Sequence, residues 1–527
     1  GKGSYINPHR QDNLDQILTK IAPVDITSFF LFQMMLFLSF ILFLVVWMLC
    51  SHDCVKPRKF PPGPAWYPLV GAFPAFHKLK EKYYYVHTVL EEMSKKYGPV
   101  VGIKLGRQKF VVISGSELVK KTAMRDEFNG RPDGFFFRVR AFGKRKGVLF
   151  IDGPAWAQTR KSTMKHLRSF GFGQKTMENY LKVEAEALVT HLQREVERLQ
   201  KPLRLQEIFD VTVLNTLWMM IAGYRFTYDD SRLNHILSVV HEAFRSSDTL
   251  GGILSHLPFL RFVIPNYSGY NRLMETHDKL WGFIRNEIDE HLKTMRRDQP
   301  PKDFIEAFLL ESGNSYDREE LIVLCLDLFM AGSKTTTDSL TAIFALALHH
   351  PEWIKSLQND LQDIVGPDAQ PSCEHASQLP RIEAFLAEAH RVLVLTPLGV
   401  PHRTMDKVSL EGYNIPKGTV VLFNYHSTNV DETCWEEPLK FKPDRFLDEN
   451  GQFKRRSEFS PFGLGKRRCL GELLARASLF IFFSSIIHNF DIETPEDQGL
   501  PILDGIDGFT VSPRPYLIKL TPRCKRE

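Results

Sequence analysis

Apolar positions along the chain fall into three patterns. The first is unbroken: Phe29–Cys50 (FFLFQMMLFLSFILFLVVWMLC) runs for 22 residues without a charge, and Gln33 is its only strongly polar member. As a helix it extends roughly 33 Å, the thickness of a bilayer core. Helices inside protein cores are seldom apolar on every side for that length, so the stretch predicts a transmembrane helix. No small-residue cleavage site accompanies it, which predicts an uncleaved signal anchor. The second pattern has helical spacing. Apolar residues three and four apart predict helices over Thr176–Leu199, Leu205–Ala222, Asn266–Met295 and Arg318–His349, and an apolar helix covers Leu470–Phe490. The third pattern alternates. Val100–Leu105 and Lys109–Ile113, joined by Gly106-Arg107-Gln108, predict a β-hairpin, and short strand-like pieces come after residue 395. The expected fold is mainly α with a small β portion.

Charges flanking the apolar span orient it. Lys56, Arg58 and Lys59 lie after it against Asp53 alone, whereas Lys2, Arg10 and Lys20 before it are balanced by Asp12, Asp15 and Asp25. The positive side stays cytoplasmic, so the chain from about residue 55 is expected in the cytosol. Pro61-Pro62-Gly63-Pro64 favours a stiff, extended segment. The prior of about 150 residues per domain suggests several domains, yet no linker or repeat divides residues 65–527. The chain reads as a tail (1–28), an anchor (29–50), a basic proline-rich hinge (51–64) and one catalytic body (65–527).

Composition removes other classes. With 67 Lys+Arg against 62 Asp+Glu, the net charge of +5 is too small over 527 residues to suggest a nucleic acid partner. Seven cysteines without a C-x-x-C pair argue against a disulfide framework or a structural zinc site.

One cysteine stands in a distinctive setting. Phe462-Gly463-Leu464-Gly465-Lys466-Arg467-Arg468-Cys469-Leu470-Gly471 fits F-x-x-G-x-R-x-C-x-G. Taken alone, such a cysteine is more often a small packed hydrophobe than a ligand. Its neighbours favour a ligand: Gly465 permits a tight turn beneath a flat cofactor, and Gly471 lets the next helix approach. Loop N–H groups and a helix N-terminus favour the thiolate of Cys469, and Arg467 can meet a carboxylate.

With this loop the chain resembles the cytochrome P450 superfamily of haem-thiolate monooxygenases, over essentially all of residues 61–527. Three further motifs occur in the family's order. Glu388-Ala389-His390-Arg391 with Pro443-Asp444-Arg445-Phe446 resembles the family's buried Glu–Arg–Arg cluster. Trp156-x-x-x-Arg160 resembles its propionate-binding pair. Ala331-Gly332-Ser333-Lys334-Thr335-Thr336 resembles its oxygen-binding groove. The resemblance implies haem b with Cys469 as axial iron ligand, and Arg131, Trp156, Arg160, His402, Phe462 and Arg467 as further haem-binding residues. It implies a catalytic groove at Ala331, Gly332 and Thr335, with Thr335 as the alcohol that relays protons. It also implies a substrate pocket lined by Ala331, Leu398, Val400 and Phe509, all of them apolar and suited to a lipophilic small molecule.

The family usually has an acid before that threonine, and this chain has Lys334. The favoured reading turns Lys334 away to pair with an acid. The others are slowed turnover and chemistry beyond plain hydroxylation, such as a haem-thiolate isomerase or dehydratase needing no reductase; a haem sensor is a third class. No flavin or nicotinamide fingerprint is present, so the resemblance implies electrons from NADPH through a membrane-bound reductase, with cytochrome b5 as a further partner. Lys454, Arg455, Arg456, Lys466 and Arg468 form a basic patch, which reads either as a solvated face or as a surface that steers such an acidic partner. The apolar stretch 257–265 reads either as core or as a second membrane contact. The resemblance is to animal microsomal members, insect ones in particular, anchored in the endoplasmic reticulum and acting by hydroxylation or epoxidation on hormones, terpenoids, steroids or small aromatics.

Overall fold

The computed structural model describes Gly1 and residues 26–246, 249–313 and 316–523; the flanking charges from Lys2 to Asp25, and Cys524, lie outside the described residues. The longer helices are α1 (Ile26–Asp53), α2 (Gly153–Ser169), α3 (Lys175–Leu199), α4 (Leu205–Ala222), α5 (Ser231–Ser246), α6 (Tyr270–Thr294), α7 (Arg318–Leu348), α8 (Pro351–Val365), α9 (Pro380–Leu393) and α10 (Glu472–Asn489). The strands are β1 (Val100–Leu105), β2 (Gln108–Ile113), β3 (His402–Arg403), β4 (Val408–Leu410), β5 (Tyr413–Ile415), β6 (Val420–Phe423), β7 (Phe490–Glu493) and β8 (Lys519–Pro522). The chain is mainly helical with a small β portion, as its pattern predicts.

Boundaries shift where local chemistry intervenes. Helix α6 begins at Tyr270 rather than Asn266, because Gly269 takes φ +79° and the Tyr270 N–H closes a turn onto the Pro265 carbonyl at 2.9 Å. Helix α10 begins at Glu472 because Cys469 and Leu470 belong to the preceding loop. In the hairpin, Gln108 is already paired with Leu105, leaving a two-residue turn in which Gly106 has φ +55°. The start of α7 is capped by Asp317, whose carboxylate accepts from the Glu320 N–H at 3.0 Å.

Helix α7 runs through the main core. It packs along α4 and against α6, α9 and α10. Trp218 of α4 lies among Phe226, Phe283 and Phe329 at ring separations of 5.6–5.8 Å. Such fully buried side chains each stabilise the fold by about 1.5–3 kcal/mol relative to exposure. A second core lies against a four-stranded sheet of order β1-β2-β6-β3, in which β2 and β6 are parallel and the other pairs antiparallel. A third, small cluster packs Trp435, Phe446 and Phe459 on Ala384 and Ala387 of α9.

The residues after α1 are docked rather than free. Phe60 covers Gly102 of β1, the Gly102 N–H donates to the Pro62 carbonyl at 2.7 Å, and a Cβ on Gly63 would fall 2.0 Å from the Gly102 oxygen. Asp53 pairs with Lys104 of β1, and Lys56 donates to the Gly63 carbonyl at 2.7 Å. The proline-rich segment is thus held by packing as well as by its own stiffness.

A helix-to-helix tie yields a pH prediction. The imidazole of His291 on α6 lies 3.2 Å from Asp303 and 3.3 Å from the Ala222 carbonyl. Burial opposes its protonation, but the Asp303 carboxylate and the neighbouring carbonyls outweigh that and raise it to about 9. A raised basic group stabilises fully below its unfolded pKa of about 6.5, and that contribution fades as pH rises through 9. The stability difference between the parent and His291→Gln is therefore expected to shrink by about 1–2 kcal/mol between pH 6.5 and 9 in denaturant titrations, allowing for partial solvent screening. A pH-independent difference would contradict the assignment.

Candidate active site

The loop from Phe459 to Gly471 leaves the third cluster and enters α10. Two of its glycines take left-handed backbone, Gly463 at φ +76° and Gly465 at φ +68°. A Cβ on Gly465 would strike the Ala123 carbonyl at 2.4 Å, so the turn is pressed onto the protein itself. The Cys469 N–H donates to the Phe462 carbonyl at 2.8 Å, closing the loop. Gly471 departs from its expected part: its φ is ordinary, and the nearest atom a Cβ would meet is Cys469 Sγ at 3.9 Å. Its missing side chain leaves room beside the thiol. Cys469 presents its side chain to an interior cavity of about 720 Å³. Burial pushes the Cys469 thiol up, against the Gly471 N–H, which favours the anion. The loop N–H and the nearby Arg160 charge thus favour the anion against burial, and a metal cation would add to them.

Guanidinium groups converge on the same cavity from three segments. Arg131 stands beside β3, because Gly130 bridges Arg403 through the Arg403 N–H at 2.8 Å. Its Nη1 donates to the carbonyls of Val400 and Pro401 at 2.8 and 2.9 Å, and its Nε has no partner among the described residues. Arg467 donates to the carbonyls of Asn129 and Ile151 at 2.8 and 2.7 Å, and its guanidinium lies 3.9 Å from the Trp156 ring centre. Arg160, one turn beyond Trp156 on α2, lies 5.7 Å from that ring and donates to the Arg468 carbonyl at 3.0 Å. His402 of β3 also faces the cavity. Its Nδ1 lies 2.7 Å from the Phe128 carbonyl, which can only accept, so the proton of the neutral ring sits there. Burial and the Arg131 charge hold that imidazole well below its usual range.

Helix α7 supplies another wall. Ala331, Gly332 and Thr335 line the cavity, and Thr335 Oγ1 donates to the Ala331 carbonyl at 2.8 Å. The helix is continuous through this run. Gly332 has a packing reason of its own, since a Cβ there would lie 2.3 Å from Leu217 of α4. Lys334 is buried on another side and pairs with Asp338. Val400 and Phe509 line the cavity and Phe462 joins them, but Leu398 does not. Leu398 is packed into the sheet core instead, because the chain after α9 turns irregularly through Gly399 at φ +57°, and Leu395, Thr396 and Gly399 face the cavity.

Sequence reasoning missed two contributors. Asp152 accepts from the Arg131 N–H at 3.1 Å and Arg403 at 2.7 Å, and pairs with Arg145 at 2.9 Å. Its place just before Gly153-Pro154 is a helix-start signal that could have drawn notice. Tyr425 closes the cavity beside Gly399, whose Cβ would meet its ring at 2.9 Å, and burial pushes its phenol up to about 12. No local pattern marks it.

The arginines are short of counter-charge. Burial and repulsion from Arg131 and Arg160 push Arg467 down to about 8, burial and repulsion from Arg160 push Arg131 down to about 10, and Asp152 relieves them only in part. A flat group carrying two carboxylates and a metal cation would neutralise the guanidinia, deprotonate Cys469 and fill an apolar cavity. Haem has that chemistry, and these residues fit it. The fold and site define a haem-thiolate protein.

Comparison with known proteins gives the family. Residues 61–520 match the family Cytochrome P450. The chain is 36% identical over 470 residues to farnesoate epoxidase of Bombyx mori, covering 88% of this chain and 94% of that one. It is 33% identical over 499 residues to probable cytochrome P450 303a1 of Drosophila melanogaster (91% and 99%), and 32% identical over 477 residues to human cytochrome P450 2D6 (88% and 94%). The chain belongs to the cytochrome P450 family and is a haem monooxygenase of it.

Proposed function

We propose that this protein is a single-pass enzyme of the endoplasmic reticulum membrane, with its catalytic body (65–527) in the cytosol, that epoxidises or hydroxylates an acyclic terpenoid or similar lipophilic molecule. The carrying observation is that Cys469, the arginines and the Ala331–Thr335 wall share one largely apolar cavity of about 720 Å³. The similarity to farnesoate epoxidase favours a sesquiterpenoid among such molecules. Haem b, when bound, supplies dioxygen activation with electrons from outside the chain.

The chain's own residues do the rest. Cys469 Sγ would ligate the haem iron. Arg131, Arg160 and Arg467 would hold its propionates, with the Trp156 ring against Arg160 and Arg467 and Phe462 at the cavity wall. His402, which faces the same cavity, would join them. Thr335 Oγ1 keeps its proton on the Ala331 carbonyl and turns its lone pairs to the cavity, ready to accept from water and pass a proton on. Ala331, Val400, Phe509 and Leu395 exclude water and orient the substrate by shape. The isomerase and dehydratase readings rested on Lys334 facing the reaction, and it faces Asp338 instead.

Support for the membrane comes from α1, whose Leu31–Met48 window has mean hydropathy 2.4 and is wholly exposed. A second contact is supported by Phe262 and Tyr267, 75% and 94% exposed, and by exposed Leu69, whose neighbour Val70 accepts from the Gly106 N–H of the hairpin tip at 3.1 Å. The loop side carries exposed Lys454, Arg455, Lys466 and Arg468, a face suited to an acidic NADPH-dependent reductase and to cytochrome b5.

The test is turnover of farnesoic acid by membranes holding the protein, the reductase and NADPH under ¹⁸O₂. One labelled oxygen per product, lost when the reductase is omitted, is expected. Unlabelled product, or turnover without reductase, would overturn the proposal.

A further inference from the structure

Lys334 and Asp338 of α7 are both buried, and their pair is joined by a third group. Ser512 Oγ lies 3.0 Å from Lys334 Nζ and 3.0 Å from Asp338 Oδ2, closing a triangle of hydrogen bonds. The next charges outward are Asp210 of α4, which is 2.6 Å from His241 of α5, and Arg245 of α5. A buried ion pair adds little net stability, and apolar residues of like volume are often as stable in its place. Its usefulness lies in the geometry it imposes.

Ser512 ends a segment that doubles back on itself, with Ile506 and Ser512 exchanging backbone hydrogen bonds at 2.7 and 3.0 Å. At the tip, Phe509 and Thr510 face the cavity. The Phe509 N–H donates to the Phe244 carbonyl of α5 at 2.9 Å, and the Val511 N–H to Leu395 at 2.8 Å. Gly508 is pressed on the same Phe244 carbonyl, which a Cβ would meet at 2.6 Å. Backbone contacts thus seat the segment on α5 and on the chain after α9, and Ser512 ties it to α7, the helix that bears Ala331 and Thr335.

We propose that Lys334, Asp338 and Ser512 form a positioning triad that sets the gap between the Phe509 segment and α7, and thereby the shape of ligand the cavity accepts. The inference uses the cavity of the proposed function but not the identity of its substrate. The acid that the family usually places beside the threonine stands here one turn later. Asp338 also lines the cavity, yet it serves position rather than proton delivery, because its Oδ2 already accepts from both Lys334 and Ser512.

The test compares the haem-loaded protein with Ser512→Ala and with the double variant Lys334→Met/Asp338→Leu, which removes both charges together and so leaves none unpaired. Backbone exchange at Ile506, Phe509, Val511 and Ser512 is followed by hydrogen–deuterium mass spectrometry. Imidazole and 4-phenylimidazole are titrated optically, the second filling space that the first does not reach. Exchange is expected to quicken by about tenfold, the loss of one net hydrogen bond. The affinity ratio of the two ligands should change by at least about fivefold in both variants, with imidazole itself within about twofold of the parent. Unchanged exchange and an unchanged ratio overturn the proposal. So does a fall in melting temperature with the ratio intact, which marks a merely structural pair. An Asp338→Asn variant with the parental ratio and a larger solvent isotope effect on turnover overturns it in favour of proton delivery.

Discussion

Replacing Cys469 with alanine is expected to abolish the thiolate-type carbon monoxide difference spectrum and reduce monooxygenase turnover to background, while the protein still folds. Folding survives because the side chain faces the cavity rather than the core, so truncation removes no packed atoms; the loop closure made by its N–H is kept. A truncation that removes no packed contact is expected to stay within about 0.5 kcal/mol. Turnover is lost because a thiolate ligand pushes electron density through the iron and favours O–O cleavage. Arg131, Arg160 and Arg467 remain, so haem is retained in part. The matched control is Cys325→Ala on α7. Cys325 is fully buried in the main core, and burial pushes its thiol up. That variant is expected to lose about 1 kcal/mol from the small void and keep the parental spectrum. A thiolate spectrum surviving in Cys469→Ala would remove the cysteine from its assigned role.

That loop was legible from the chain because its parts are contiguous. A turn, a cation and a thiol within ten residues constrain one another without help from the rest of the fold. The long helices were legible for a similar reason, since apolar spacing over 18 to 31 residues leaves little ambiguity. The rim of the cavity is different. Arg131, Asp152, His402 and Tyr425 come from four separated segments, gathered by the Gly130–Arg403 bridge and by β6 pairing with both β2 and β3. Spacing along the chain carries no trace of that gathering. Arg131 and His402 were reached through the family resemblance, and Asp152 and Tyr425 were missed.

Leu398 and Gly332 show a second limit. An apolar residue after a helix can face either of two apolar environments, and only the turn at Gly399 decides that Leu398 joins the sheet core. Gly332 reads in sequence as part of the oxygen-binding groove, whereas Leu217 of another helix also occupies the space its Cβ would need. Lys334 was legible as a departure, and its pairing with Asp338 accords with one-turn spacing; Ser512, 178 residues away, had no such signal.

Truncating Glu388 to alanine is expected to be the most damaging change outside the cavity. Glu388 and Arg391 are fully buried on α9, and Arg391 grips the carboxylate through Nε and Nη2, both at 2.7 Å. Arg445 adds a bond at 3.1 Å, and the Lys442 N–H another at 2.9 Å. Both arginines also hold the chain that leads to the cysteine loop: Arg391 donates to the carbonyls of Asn429 and Pro438 at 2.7 Å, and Arg445 to that of Glu437 at 2.9 Å. Removing the carboxylate leaves two guanidinia in the interior with no anion, which costs about 3–5 kcal/mol. That is a large share of the roughly 5–15 kcal/mol by which a domain is stable. The damage should travel along the chain, because Phe446, next to Arg445, packs on Phe459 at 5.1 Å, and Phe459 opens the loop of Cys469. Haem-loaded protein is therefore expected to fall below detection in Glu388→Ala. Glu388→Gln, which keeps the shape and one acceptor oxygen but puts an NH2 donor in place of the other and removes the charge, should give an intermediate yield with faster backbone exchange across 429–446 and 459–469. Equal yields for the parent and Glu388→Ala would show that the cluster does not hold the loop. Arg445→Lys separates charge from geometry: it restores a cation but not the fork that reaches both Glu388 and the Glu437 carbonyl, so its exchange should rise across 437–446 while α9 stays protected.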